Sequence, residues 1–244
     1  MFNAEKVCKD IVKWTKDWFN INGNGCNAVI GISGGKDSTI VAALCAKALG
    51  ADRVIGVLMP NGLQEDINVS EAVCDFLGIK SYTINIKNTF NSAMDELKAA
   101  LPSVSQQTII NIQPRLRMSV LYAVSQSLNG RVASTSNLSE EFVGYTTRYG
   151  DLAGDFATIS SLTASEVKEI GKVLGLPLEF IEKVPIDGLS DKTDEESLGF
   201  SYDVLDKFIR TGICEDEEIK GKILRLNKLN EFKLKLVEFF QYEQ

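Results

Sequence analysis

Asn27-Ala-Val-Ile-Gly-Ile-Ser-Gly-Gly-Lys-Asp-Ser-Thr-Ile-Val-Ala42 reads as a buried strand, a glycine turn and the start of a helix. Ala28, Val29, Ile30 and Ile32 form a short apolar run of strand type. Ser33, Gly34 and Gly35 supply a turn without bulky side chains, and the residues from Thr39 onward are helical in pattern. A glycine turn at a helix N-terminus presents free backbone N–H groups and the positive end of the helix dipole. Such a place binds anions, most often phosphate.

Upstream, Ala4 to Phe19 reads as an amphipathic helix whose Val7, Ile11, Trp14 and Trp18 make one apolar stripe. The stripe suits either the sheet or a partner subunit. Downstream, Arg53 to Met59 and Ser81 to Ile86 read as strands, separated by a helix that Asp66 or Asn68 caps and Gly78 ends. Thr89 to Leu101 is helical. Pro114 suits the first turn of a helix, so the next one is expected from there to about Leu128. Its Met118, Leu121, Tyr122 and Val124 face either core or interface. Arg131 to Thr135 is a fourth strand, Ser136 to Asp155 a polar and functional loop, and Phe156 to Leu162 a fifth strand. Thr163 and Glu166 form a capping box for a helix that Gly175 ends. Pro185 to Glu196 has the composition of a mobile loop, and Tyr202 to Arg210 and Glu215 to Leu236 are helical. Strands alternating with helices predict an α/β fold: a Rossmann-like doubly wound parallel sheet of about five strands, with helices on both faces. One domain over residues 1–244 is expected, with C-terminal helices in 200–240 packed on it.

Of the 244 residues 44% are apolar, and the formal net charge is −7. That acidity argues against a nucleic-acid partner. The five cysteines show no metal-type spacing and read as reduced thiols. The sequence shows no membrane span or leader pattern, so a cytoplasmic protein is expected. The chain has no histidine. Ser–His and Cys–His catalysis and histidine metal sites are thereby excluded. Chemistry must rest on carboxylates, lysine, arginine, hydroxyls, backbone dipoles or a hard cation.

Three glycine-loop patterns compete for the opening stretch. A Walker loop, G-x-x-x-x-G-K-[ST], fails because Asp37 follows Lys36 and the spacing is short. A dinucleotide fingerprint, G-x-G-x-x-G, fails because the glycines stand at 31, 34 and 35. Ser33 to Ser38, S-G-G-K-D-S, resembles the loop of the N-type ATP pyrophosphatases, which split ATP between its α- and β-phosphates. Beyond the loop the chain resembles the ammonia-dependent NAD synthetases over nearly its whole length. The resemblance is carried by Met59-Pro-Asn-Gly-Leu-Gln-Glu-Asp66, Asn111-Ile-Gln-Pro-Arg-Leu-Arg-Met118, Thr135 with Glu140, Gly144-Tyr-Thr-Thr-Arg-Tyr-Gly-Asp151 and Thr193-Asp-Glu-Glu-Ser-Leu-Gly199.

The resemblance implies the adenine nucleotide alpha-hydrolase-like form of the fold. It also implies a reaction in which the nicotinate carboxylate of deamido-NAD attacks the α-phosphate of ATP. An acyl-adenylate forms, pyrophosphate leaves, and ammonia displaces AMP. The chain has no room for a glutaminase domain, so free ammonia is the expected nitrogen source. Gly31, Ile32, Ser33, Gly34, Gly35, Lys36, Asp37, Ser38, Met59 and Thr135 would contact ATP, with Asp37 and Glu140 as carboxylates for Mg²⁺. Arg115, Arg148 and Asp155 would bind deamido-NAD, together with Phe232 and Lys233, which stand where the family has a His-Lys pair. Asp151 would orient ammonia. The family lysine after the fifth strand is replaced here by Ala164, and a late-loop hydroxyl residue by Ile186. Lys36 or Lys192 is expected to supply the missing cation. A homodimer is implied. Rival readings are an adenylating enzyme for nicotinate mononucleotide or another acid, a thiolating or lysidine-forming RNA enzyme, and a nucleotide-binding regulator without catalysis.

Overall fold

The computed structural model describes residues 2–64, 66–182, 193–235 and 237–242. The first half of the chain runs α1 (Ala4–Asn22), β1 (Asn27–Gly31), α2 (Lys36–Leu49), β2 (Val54–Leu58), α3 (Ile67–Leu77), β3 (Lys80–Thr83), α4 (Lys87–Ala100) and α5 (Gln106–Ser127). The second half runs β4 (Gly130–Ser134), α6 (Leu138–Val143), β5 (Phe156–Ala157), α7 (Ala164–Val173), α8 (Leu178–Ile181), α9 (Asp194–Leu198), α10 (Tyr202–Thr211) and α11 (Glu217–Leu234). The five strands lie in the order β3-β2-β1-β4-β5, and every neighbouring pair is parallel.

Burial on both faces explains the unbroken apolar runs of the inner strands. Ala28 and Ile30 point into a core made with α1, α2 and α7, containing Ile40, Leu44, Val167 and Ile170. Val29, between them, points to the opposite face and meets Ile55, Val57, Met118, Leu121 and Val132 beneath α5. Each such side chain, removed from water, contributes about 1.5–3 kcal/mol. Trp18 packs on Phe19 and Phe156, with ring centroids 5.2 and 5.0 Å away. The α5 face and most of the tryptophan stripe are therefore core, while Trp14 remains 43% exposed. A third cluster joins Val143 of α6 to Phe200, Leu205, Phe208 and Ile223, and so seats α10 and α11 on the rest. Among the described residues no helix is long and apolar enough to cross a membrane.

Beside the third strand, which is Lys80–Thr83 rather than Ser81–Ile86, and α9, which begins at Asp194 inside the expected loop Pro185–Glu196, three differences bear on the site. Pro114 lies inside α5, which starts two turns earlier at a Ser105 cap whose Oγ accepts from Thr108 N–H at 3.2 Å. The missing proline N–H costs the helix a bond. The early turns are held from outside instead: Asn111 Oδ1 accepts from Thr147 Oγ1 at 3.1 Å, and Gln113 Oε1 accepts from Asn61 Nδ2 at 2.9 Å. The fifth strand is only Phe156–Ala157, because the chain turns at once so that the Leu162 carbonyl can accept from Leu138 N–H at 2.8 Å. Within the expected loop Ser136–Asp155 lies the helix α6. It carries its own capping box between Asn137 and Glu140 and ends at Gly144 with φ +67°.

Candidate active site

The strand order reverses direction between β1 and β4, and open α/β sheets bind ligands at the carboxyl ends of the strands at that point. The two segments that leave those strand ends are the glycine loop and the start of α6. Gly34, at φ +77°, turns the loop where a residue with a Cβ would be strained and would meet Ser70 Oγ at 3.0 Å. The loop then braces itself. Ser33 Oγ and Ser38 Oγ lie 3.1 Å apart, Gly35 N–H donates to Ser33 Oγ at 3.2 Å, and Ser38 Oγ donates to the Gly35 carbonyl at 3.1 Å. No side chain caps the N-terminus of α2, so its first N–H groups face the crevice without an internal acceptor.

Beside this anion-binding end lies a group of acids. Asn137 joins the two walls: its Nδ2 donates to Asp37 Oδ1 at 3.2 Å, and its backbone N–H donates to Glu140 Oε2 at 3.3 Å. Lys36, 3% exposed, places its Nζ 2.6 Å from Asp37 Oδ2 and 6.0 Å from the centre of the Tyr202 ring. Tyr202 in turn donates through its hydroxyl to Asp194 Oδ2 at 3.3 Å. Burial works to lower the Lys36 pKa, but the fields of Asp37, Glu140 and Asp194 outweigh it and raise it. Burial, and then the neighbouring Asp37, push the Glu140 carboxyl well above the usual carboxylate range, against the pull of Lys36. Burial and the surrounding carboxylates likewise hold the Tyr202 phenol protonated. Ala164 is buried and donates its N–H to Ser139 Oγ at 3.0 Å.

A second recess opens at the same end of β4. It has a volume of about 510 Å³ and is lined by Tyr122, Ser134, Glu141, Arg148, Asp155 and Lys233, among others. The Arg148 guanidinium lies 5.0 Å from the Tyr149 ring centre and 5.6 Å from that of Phe232, and donates to the Lys235 carbonyl at 3.0 Å. Lys233 donates to the carbonyls of Gly144 and Thr146 at 2.8 and 2.9 Å. Arg115 reaches the Arg148 carbonyl through Nε at 3.3 Å. Asp155 is engaged by the sheet: its Oδ2 accepts from Val132 N–H at 2.8 Å and its Oδ1 from the Tyr122 hydroxyl at 3.4 Å. Asp151 Oδ1 accepts from Thr147 N–H at 3.0 Å, and the surrounding protein raises its pKa above the ordinary value despite that donor.

The residues expected from the sequence thus fall into two groups. Ser33 to Ser38 and Glu140 gather at the switch point, with Thr135 directly after β4. Met59 follows β2, and its methyl lies 3.2 Å from where a Cβ on Gly31 would stand. Arg148, Asp155 and Lys233 line the recess, Arg115 and Phe232 reach Arg148, and Asp151 is held by Thr147. Lys192 and Ile186 lie outside the described residues. Sequence reasoning missed Asn137, whose pairing with Glu140 three residues on is a legible capping-box pattern. It also gave no role to Arg117 and Asp194, although both lie in the stretches Asn111–Met118 and Thr193–Gly199 singled out above, nor to Tyr202. Arg117 Nε donates to the Met59 carbonyl at 3.1 Å.

Comparison with known proteins extends this geometry. The NAD synthase family model matches residues 7–242. The NH(3)-dependent NAD(+) synthetase of Methanococcus aeolicus is 41% identical over 189 residues, covering 76% of this chain and 74% of that protein. The protein of the same name from Finegoldia magna is 32% identical over 244 residues, 99% of this chain and 98% of its own. Among solved structures, an NMN synthetase from Francisella tularensis superposes with a TM-score of 0.90 at 29% identity, covering 99% of this chain and 100% of that one. The NH3-dependent NAD synthetase of Campylobacter jejuni does so with a TM-score of 0.80, also at 29% identity, covering 98% and 100%. An uncapped helix end beside paired acids, a second recess at the same strand end and a family match along nearly the whole chain agree: this protein belongs to the NAD synthase family.

Proposed function

We infer that the chain is a C–N bond-forming ligase that uses ATP and ammonia to amidate deamido-NAD, giving NAD, AMP and pyrophosphate through an acyl-adenylate. The observation that carries the reading is the juxtaposition, across β1 and β4, of an open helix N-terminus with the Asp37–Asn137–Glu140 group. The N–H groups of α2 and the hydroxyls of Ser33 and Ser38 bind the β- and γ-phosphates. Arg115, Arg148 and Lys233 hold the acidic dinucleotide in the recess, and its carboxylate is aligned with the α-phosphorus. Positioning of this kind supplies much of such a reaction's rate. Asp151 orients ammonia and receives its proton as AMP departs, a role for which its raised pKa is suited.

Mg²⁺ fits the first group. Among the described residues no three Asp, Glu, Cys or His side chains converge as a closed cage. Magnesium commonly binds through one or two carboxylates plus substrate phosphates and water, and Asp37 and Glu140 offer that pair. An ammonium already buried among these acids supports a place built for positive charge. When bound, the ion neutralises phosphate oxygens. A homodimer working on small molecules, without nucleic acid or membrane, and located in the cytoplasm, completes the reading.

The high similarity to the Francisella NMN synthetase favours a second acid, nicotinate mononucleotide. One experiment tests both. The protein is mixed with Mg-ATP, ammonium and either acid, and AMP, pyrophosphate and amide are followed together. One AMP per NAD, with a higher kcat/KM for deamido-NAD, is expected. A higher kcat/KM for the mononucleotide transfers the activity to that acid, and ADP as the product refutes the adenylation chemistry.

A further inference from the structure

Lysine is seldom fully buried unless it is paired, and a cation at a helix N-terminus works against the helix dipole. Lys36 goes against the second preference and meets the first only through a partner, being the first residue of α2 and only 3% exposed. What holds it is Asp37, at 2.6 Å, with the Tyr202 ring behind. Both oxygens of Asp37 are thereby engaged, Oδ1 by Asn137 and Oδ2 by Lys36. Asp37 is also the carboxylate that would hold the divalent ion, so ion and ammonium contend for one oxygen.

We propose that Lys36 is the resident cation of this acidic group, holding the Asp37 carboxylate in the nucleotide-free protein and yielding it when a divalent ion arrives with ATP. The proposal rests on the reading of Asp37 and Glu140 as the metal carboxylates. Its physical content is a competition. Without nucleotide, the ion must displace the ammonium from its nearest partner, Asp37, and from its enclosure, so binding is weak. With nucleotide, the phosphates at the N-terminus of α2 offer the released ammonium an anionic partner beside its own residue, so both cations are accommodated. Divalent ion and ATP therefore load together, and Lys36 becomes the chain's own counter-charge for the departing pyrophosphate.

The test is direct binding of Mn²⁺ to the nucleotide-free protein, followed by the electron paramagnetic resonance of the free ion. Wild type, Lys36→Arg, Lys36→Gln and Lys36→Gln/Asp37→Asn are compared. Lys36→Gln is expected to bind Mn²⁺ at least tenfold more tightly than wild type, Lys36→Arg to match wild type, and the double variant to lose the gain. Equal or weaker binding by Lys36→Gln overturns the inference. A double variant that binds as tightly as Lys36→Gln overturns the metal-site reading instead. In case the glutamine variant does not fold, the wild-type protein carries a second measurement: acetylation of Lys36, read by peptide mass spectrometry. Lys36 should be protected in the free protein and at least severalfold more reactive at saturating Mn²⁺. Unchanged protection refutes the proposal.

Discussion

Asp206→Ala should unfold the protein more readily than any surface substitution. Asp206, 7% exposed on α10, serves two other helices. Its Oδ1 accepts from Ser139 Oγ of α6 at 2.5 Å, and its Oδ2 accepts from Ser165 N–H, at the start of α7, at 2.8 Å. Ser139 passes the support on by accepting from Ala164 N–H at 3.0 Å. One carboxylate thus ties together α6, α7 and α10 and satisfies donors that the first turn of α7 cannot satisfy itself. Hydrogen bonds to a charged group contribute about 1.5–3 kcal/mol each, and an acid at a helix N-terminus adds about 0.3–1 kcal/mol. Removing the carboxylate also leaves the buried Ser139 hydroxyl without its acceptor. The expected loss is about 3–5 kcal/mol, which at this chain length is a fall in Tm of about 10 °C. Urea unfolding at a fixed protein concentration measures it, and an Asp206→Ala/Ser139→Ala pair with its single variants isolates the coupling between the two side chains. Because α6 carries Glu140, the variant should also lose activity at temperatures where it remains folded. A loss below about 1 kcal/mol would refute the argument that Asp206 supports the site.

Two further outcomes follow from particular contacts. Gly144→Ala places a Cβ 2.1 Å from Asn230 Cβ at a φ of +67°, so α11 must shift off α6, and about 2–4 kcal/mol should be lost in the same unfolding assay. Stability should also fall as pH rises above about 9. Burial raises the Cys74 thiol to about 11 and the Cys45 thiol to about 12, from an ordinary value of 9.0. Above pH ~9 the unfolded chain holds fewer protons at these sulfurs than the native one, so each contributes a slope of about −1.4 kcal/mol per pH unit up to its native pKa. Cys45→Ala and Cys74→Ala should each flatten the decline, measured as urea midpoint against pH.

The sheet was legible because its inner strands are local apolar runs bounded by glycine and by helices with readable caps. The loop at Ser33–Ser38 was legible for the same reason: the hydrogen bonds that brace its turn, among Ser33, Gly35 and Ser38, are all internal to it. The Thr163–Glu166 box was read correctly, yet the equivalent box at Asn137–Glu140 was passed over because α6 is only six residues long and polar. Pro114 misled because its local rule is sound. What overrides the rule is the grip of Asn61 and Thr147, neither of them near it in sequence, on the preceding turns. Asp206 and Asp194 look like ordinary helix acids. Only the fold brings Asp206 to Ser139, 67 residues away. The burial of Lys36 was equally invisible, since its enclosure by Tyr202 and Asp194 depends on the C-terminal helices closing over the loop.

The bond between Asn137 and Asp37 joins residues 100 positions apart, and those residues leave strands that are neighbours only in space. The glycine loop is synthesised early, but its opposite wall cannot arrive until two helix–strand crossovers, two further helices and β4 have been made. Contacts of such sequence separation carry a loop-closure cost that is met late in folding. The crevice is therefore among the later features the chain acquires, and a nascent chain that ends before β4 contains the glycine loop but not the Asn137 wall that faces it. Closure of the two walls thus coincides with the arrival of β4 and α6, so a chain stopped short of them carries the glycine loop with one wall only.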